Sequence, residues 1–270
     1  MLIDTHCHIN MIVKKAFDVR LNEENIQHAN NITNEAFNCG VKKILNIGTS
    51  FLESLNSIEL ANKFANIFAS IGIHPNDCTK DWHKELKELE KYLSKINNKI
   101  IAIGETGLDY HYPEYDKQRQ VDAFKAQIEL ALQYNLALSI HTRDAGDEVL
   151  KYLDQFKDEN LRGVIHCFSE DLGFAQDAIN MGFVLGIGGT ITYPKNQILR
   201  DVVKSVGVEN IVLETDAPFL PPQNIRGQVN HPKEIVTIAK YVSELVGLDL
   251  QTISTVTTNN CYKIFGFKEN

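Results

Sequence analysis

"MLIDTHCHIN", residues 1–10, runs from apolar residues straight into a pair of histidines, and the reading of that passage decides the fold. Leu2 and Ile3 begin a short strand-like run, and in a strand residues two apart share a face. His6 and His8 therefore point the same way at the strand's end, with Cys7 turned to the opposite face. Two adjacent imidazoles suit a transition metal, which binds neutral histidine nitrogen well. A lone His-x-His pair is as often two solvated side chains, so the weight rests on whether the pattern recurs along the chain.

The strand-like run recurs seven times. "VKKILNIG" from Val41, "IFASIGIH" from Ile67, "IIAIGET" from Ile100 and "LALSIHT" from Leu136 are similar runs, followed by "RGVIHC" from Arg162, "FVLGIG" from Phe183 and "IVLETDA" from Ile211. Their richness in Ile, Val and Leu fits parallel strands buried on both faces. Helical spacing fills the intervals: Val121, Phe124, Ile128 and Ala131 form a core-facing stripe. "DWHKELKELEKYL" from Asp81 alternates charge with leucine, with Asp81 placed to cap the helix and Glu85 slightly beyond the capping-box position. Pro113, Pro194 and Pro232 mark expected helix starts. Eight strands alternating with helices predict an α/β fold, a (β/α)8 TIM-type barrel forming a single domain over residues 1–270. A doubly wound open sheet fits less well, because no Gly-x-Gly-x-x-Gly follows the first strand.

The 43% hydrophobic and 23% charged fractions are those of an ordinary soluble protein. No run approaches ~18 consecutive apolar residues, and no basic, apolar leader opens the chain, so neither a membrane span nor secretion is expected. The five cysteines form no Cys-x-x-Cys pair and read as reduced thiols of a cytoplasmic protein. A net charge of −8 argues against a long electrostatic footprint on nucleic acid. It leaves room for a small phosphate-handling site, where bound divalent metals carry positive charge locally. No obligate protein partner is implied.

The C-terminal ends of the eight runs carry an unusual set of side chains. Strand one ends in His6 and His8, strand three in His74, strand four in Glu105, strand five in His141, strand six in His166, and strand eight in Glu214 and Asp216. A barrel brings these ends to one rim, where catalytic residues sit. The number of ligands predicts two divalent ions: His6, His8 and Asp216 for one, His141 and His166 for the other, with Glu105 bridging. Imidazole-rich shells favour Zn, Mn, Co or Ni over Mg.

"DTHCHI", "GIHP", "GETGLDY", "IHTRDA", "HCFS" and "ETDAPFL", in order from residue 2 to about residue 232, together resemble the TatD-related deoxyribonucleases of the metal-dependent hydrolase superfamily. The resemblance implies a metal-dependent barrel that hydrolyses DNA phosphodiesters, often from a 3′ end. Matched by position, His6, His8, Glu105, His141, His166 and Asp216 fall on the family's metal ligands, in agreement with the strand-end reading. Glu170 stands where relatives usually show Gly. Gln228 and Val229 replace residues that are often basic, and His231 replaces an acid, changes that bear on nucleic-acid contact rather than on metal chemistry.

Around this set, His74, Arg143 and Arg226 are expected to contact substrate, the arginines through phosphate. Glu214 is expected to orient a ligand. Tyr110 and Tyr112 suit either base stacking or surface packing, and Arg119 a pairing on its own helix. Cys167, pointing opposite to His166 in its strand, reads as core. His28, His83 and His111 read as surface residues, and Gly188-Gly189 as a place where substrate approaches the backbone closely. The expectation is a DNA-cleaving metal hydrolase using Zn, Mn or Mg, in which metal-activated water attacks phosphorus and Asp216 takes its proton. The rivals are a hydrolase of a small lactone or cyclic amide and a non-catalytic metal-binding protein. A lysine at the end of strand four would have favoured the first; Glu105 stands there. Lost ligands would have favoured the second, and none is lost.

Overall fold

The computed structural model describes residues 1–94, 99–157 and 159–267. All eight predicted strands form: β1 Leu2–Cys7, β2 Val41–Asn46, β3 Ile67–Ile71, β4 Ile100–Asp109, β5 Ala137–Arg143, β6 Gly163–Ile165, β7 Phe183–Ile187 and β8 Ile211–Leu213. Each pairs in parallel with the next, in the order β1-β2-β3-β4-β5-β6-β7-β8, and helices fill the intervals as in a (β/α)8 barrel.

The last seam, between β8 and β1, is closed differently from the others. A single parallel bridge joins Cys7 to Ala217, with the amides of His8 and Asp216 donating to the carbonyls of Ala217 and His6, both at 2.8 Å. The Asp4 carboxyl group completes the seam: Oδ1 accepts from the Thr215 amide at 3.0 Å and Oδ2 lies 2.6 Å from the Thr215 hydroxyl oxygen, within hydrogen-bond reach.

Apolar burial explains the two ends of the barrel. Ile3, Ala102, Ala137, Val164, Val184 and Val212 cluster with Ile264, Phe265 and Phe267 near the chain's end, which packs the N-terminal side and leaves the C-terminal side open. Val121, Phe124, Ile128 and Ala131 are buried as a stripe on the helix Lys117–Tyr134, where Asp116 caps the start through the Arg119 amide at 3.1 Å.

Three helix-start expectations are corrected. Asp81 occupies the N-cap of the helix Trp82–Glu90, but its carboxylate turns to Lys84 at 2.6 Å and makes no cap bond. Pro232 does open a 3-10 turn, Pro232–Glu234, leading into the helix Ile235–Val246. Pro113 and Pro194 instead lie in turns ahead of the helices Lys117–Tyr134 and Gln197–Val206, whose N-cap positions are held by Asp116 and Asn196. Among the described residues no helix is long and apolar enough to cross a membrane.

Candidate metal centre

His6 lies in β1 and His8 just past its end, and their Nε2 atoms stand 3.1 Å apart. Two ring nitrogens this close, both buried, can share one proton between them, and a cation bound by both would replace it. Asp216 brings Oδ1 to 3.4 Å from His8 Nε2 and 3.8 Å from His6 Nε2. It reaches there by leaving the strand: β8 stops at Leu213 and Asp216 has a φ of 56°.

Glu105 divides its two oxygens. Oε2 lies 3.4 Å from His6 Nε2 and 3.8 Å from His8 Nε2. Oε1 lies 3.1 Å from His141 Nδ1, 3.5 Å from His74 Nε2 and 3.7 Å from His166 Nε2. Gly107 lets β4 come close to β5 here: with a φ of 142°, any Cβ would run into the His141 carbonyl. All six predicted ligands therefore meet, as does His74. His141 and His166 both face Glu105 Oε1, and His166 also reaches the side of His6. Donor atoms within 4.8 Å of one another gather as His6–His8–Asp216, His6–Glu105–His166 and His74–Glu105–His141. His166 is drawn toward the first group because its ring stacks on His6, with centroids 3.4 Å apart.

Carboxylates back the histidines. Glu214 Oε1 stands 2.9 Å from His166 Nδ1 and accepts from the Cys167 amide at 2.6 Å. Asp109 Oδ2 stands 3.2 Å from His141 Nε2 and is held by the Asn76 side-chain amide at 2.7 Å. Sequence reasoning missed Asp109, although Glu105, Gly107 and Asp109 alternate on one face of β4. Asp4, one alternation before His6, was missed in the same way.

The charges are coupled as a metal site requires. Burial alone pushes Glu105 up, but His74, His141 and His6 outweigh it and hold the carboxyl well below its ordinary range. Burial pulls His166 down, but Glu214, Glu105 and Asp216 outweigh it and raise the imidazole to about 10. Burial and the neighbouring His166 lower His6. A divalent cation would take over the role these protons play, and the donor set of imidazoles and carboxylates fits one.

Cys167 departs from its expected core position. β6 ends at Ile165 and Cys167 has a φ of 46°, so strand alternation no longer applies. Its sulfur comes within 4.8 Å of donor atoms of His166 and Asp216 and lines the cavity, although burial pushes the thiol well above its usual range.

Above the cluster opens a cavity of about 1010 Å³. His74, Arg143 and Arg226 all line it. Arg143 lies over the Tyr112 ring at 5.4 Å and Arg226 over the Tyr193 ring at 4.5 Å. Tyr110 packs against Tyr115 and bonds Glu148 at 2.8 Å, so of the two candidate tyrosines only Tyr112 reaches the cavity. At Gly189 it is not substrate that approaches the backbone but the loop after β8, since a Cβ there would meet the Leu220 carbonyl and Pro222 nitrogen. Arg119 pairs with Asp116 at 2.6 Å. His28, His83 and His111 are exposed. Glu170 packs beside Gly146, and Val229 is exposed at 69%.

Residues 3–266 match the model of a family described as TatD related DNase. An uncharacterized metal-dependent hydrolase of Bacillus subtilis, YabD, is 32% identical, with 98% of this chain and 99% of YabD covered. A second such hydrolase, YcfH of Escherichia coli, is 29% identical over 98% of this chain and 95% of its own. The crystal structure of the TatD homologue YjjV from Escherichia coli superimposes with a TM-score of 0.88 at 28% identity, covering 99% of this chain and 98% of that one.

Proposed function

The chain belongs to the TatD-related family and is a metal-dependent hydrolase, and from that premise we propose that it hydrolyses DNA phosphodiester bonds, acting on single strands from the 3′ end. The observation that carries this reading is the division of Glu105, one oxygen toward His6 and His8, the other toward His141, His166 and His74. That is the arrangement of a carboxylate that bridges two cations.

His6, His8 and Asp216 would hold one divalent ion, His141 and His166 the second, with Glu105 shared; Zn, Mn and Mg are the candidates. Bound there, the ions supply a water acidified for attack and neutralise charge on the phosphoryl group. Asp216 accepts the water's proton, since its second oxygen is not among the donor contacts of the cluster. Arg143 and Arg226, each laid on a tyrosine face at the cavity wall, bind backbone phosphates, and Tyr112 and Tyr193 offer faces on which bases stack. Two guanidinium groups above the cluster favour a phosphodiester over a neutral lactone or cyclic amide.

The test is a parallel assay of the purified protein loaded with Zn, Mn or Mg on 5′-labelled single-stranded DNA and a panel of lactones and cyclic amides. Stepwise shortening of the DNA, stopped by a chelator, is the expected result. Turnover of a lactone or amide with no cleavage of any nucleic acid would transfer the site to that rival.

A further inference from the structure

The histidines that face Glu105 Oε1 differ in what holds their far ring nitrogen. His166 turns Nε2 to the cluster and places Nδ1 2.9 Å from Glu214. His141 turns Nδ1 to the cluster and places Nε2 3.2 Å from Asp109. In each a carboxylate stands behind the far nitrogen and favours a proton there, so that a cation displacing the near nitrogen's own proton meets its lone pair, which is how a metal-binding histidine is prepared.

His74 is arranged in the opposite sense. Its far nitrogen, Nδ1, accepts the backbone N–H of Asn76 at 3.1 Å. A backbone N–H can only donate, so Nδ1 keeps its lone pair and the single ring proton of the neutral imidazole sits on Nε2. That nitrogen lies 3.5 Å from Glu105 Oε1, on a ring that lines the cavity. With its lone pair committed to the ring, a protonated nitrogen cannot ligate a metal; it donates.

The local sequence enforces this. His74 is the N-cap of the 3-10 turn Pro75–Asp77, and Pro75 has no N–H, so the next free donor is the Asn76 amide. The same device occurs far away in sequence. His231 caps the 3-10 turn Pro232–Glu234, its Nδ1 accepts the Lys233 amide at 3.1 Å, and its Nε2 lies 3.5 Å from Glu35. The His-Pro-x geometry is thus a property of the chain itself and does not depend on the metal cluster.

We propose that His74, although it stands among the donor atoms, is not a metal ligand but a tautomer-locked hydrogen-bond donor whose Nε2–H is directed at a charged oxygen of the bound substrate. The identity of that oxygen, a non-bridging phosphoryl oxygen, rests on the nuclease reading above. His74 moves no proton. It stabilises negative charge that grows during attack, as a preformed donor does in an oxyanion hole.

The experiment uses the full chain with ¹⁵N-labelled histidine, before and after loading with Zn, and the ring-nitrogen spectra of wild type, His74→Gln and His231→Gln for assignment. His74 and His231 should both show protonated Nε2 and unprotonated Nδ1, unchanged for His74 on loading, while His141 and His166 acquire metal-bound shifts. Elemental analysis of His74→Ala and His74→Gln should give the wild-type number of ions per chain, and His166→Ala fewer. On single-stranded DNA, His74→Ala should lower kcat about 10²–10³-fold, with partial recovery in His74→Gln, whose amide can donate. A metal-bound shift at His74 Nε2, or loss of an ion in His74→Ala, would overturn the proposal, as would full kcat in that variant. The tautomer and the ion count need no substrate, so they decide the matter even if DNA proves not to be cleaved.

Discussion

Asp4 gives a prediction that tests the barrel's closing seam. Its side chain is fully buried, and burial, against the opposing hydrogen bonds from Thr215 and His6, raises the carboxyl to about 8. In the unfolded chain the same group titrates near its ordinary value of 3.8. Between those values the folded state holds a proton that the unfolded state has released, so stability falls as pH rises. Converting the protonation difference at ~1.4 kcal/mol per pH unit, the Asp4 contribution should decline by about 2–3 kcal/mol from about pH 6 to about pH 9, and level off above the folded value. Asp4→Asn removes the titration while keeping the shape. Its amide oxygen can still accept from the Thr215 N–H, and its NH2 can donate to the Thr215 hydroxyl oxygen. Urea unfolding of both proteins, metal-free and across that pH range, isolates the effect, because every other titrating group is common to both. The variant should gain on the wild type by that amount as pH rises. Parallel curves would mean that Asp4 is ionised in the folded state and that the seam is held by a charged carboxylate.

Two further outcomes follow from the cluster. Asp216→Asn should keep the fold and the ion held by Glu105, His141 and His166, yet lose about 10²–10⁴ in kcat, as expected for removal of a general base; near wild-type turnover at saturating substrate and metal would move that role to another group. Glu214→Gln keeps the shape beside His166 but removes the charge that raises it, so calorimetric titration should find one ion bound about 10–100-fold more weakly, and an unchanged affinity would show that Glu214 only fills space.

The strands were legible because parallel strands covered on both faces need near-continuous Ile, Val and Leu, and each of the eight runs quoted above became one. What could not be read was where each strand stops. "IVLETDA" reads as one strand, yet pairing ends at Leu213 because the next residues serve the seam: Thr215 binds Asp4, and the Asp216 amide binds the His6 carbonyl. The positive φ at Asp216 and Cys167 follows from the same early endings of β8 and β6. Alternation applied past Ile165 therefore placed Cys167 in the core, whereas the turned backbone brings its sulfur toward His166 and Asp216.

The site shows a second limit of the same kind. Residue type and strand end gathered His6, His8, Glu105, His141, His166 and Asp216 from sequence, because six metal-type side chains at one rim require only the barrel to meet. Which histidines coordinate is a finer matter, set by the group behind each ring. A carboxylate behind the ring, Glu214 for His166 and Asp109 for His141, frees the facing nitrogen to bind a cation; a backbone N–H behind the ring, Asn76 for His74, keeps the facing nitrogen protonated. Part of that distinction was on the page of the sequence after all. Asp109 follows Glu105 at even spacing on β4, and a proline directly after a strand-end histidine removes one amide and leaves the next to claim Nδ1. "GIHPND" and "VNHPKE" both carry that signature, and both rings are held the same way. At this rim the His-Pro pair marks the ring that donates, and His6, His8, His141 and His166, none followed by proline, are the rings free to hold metal.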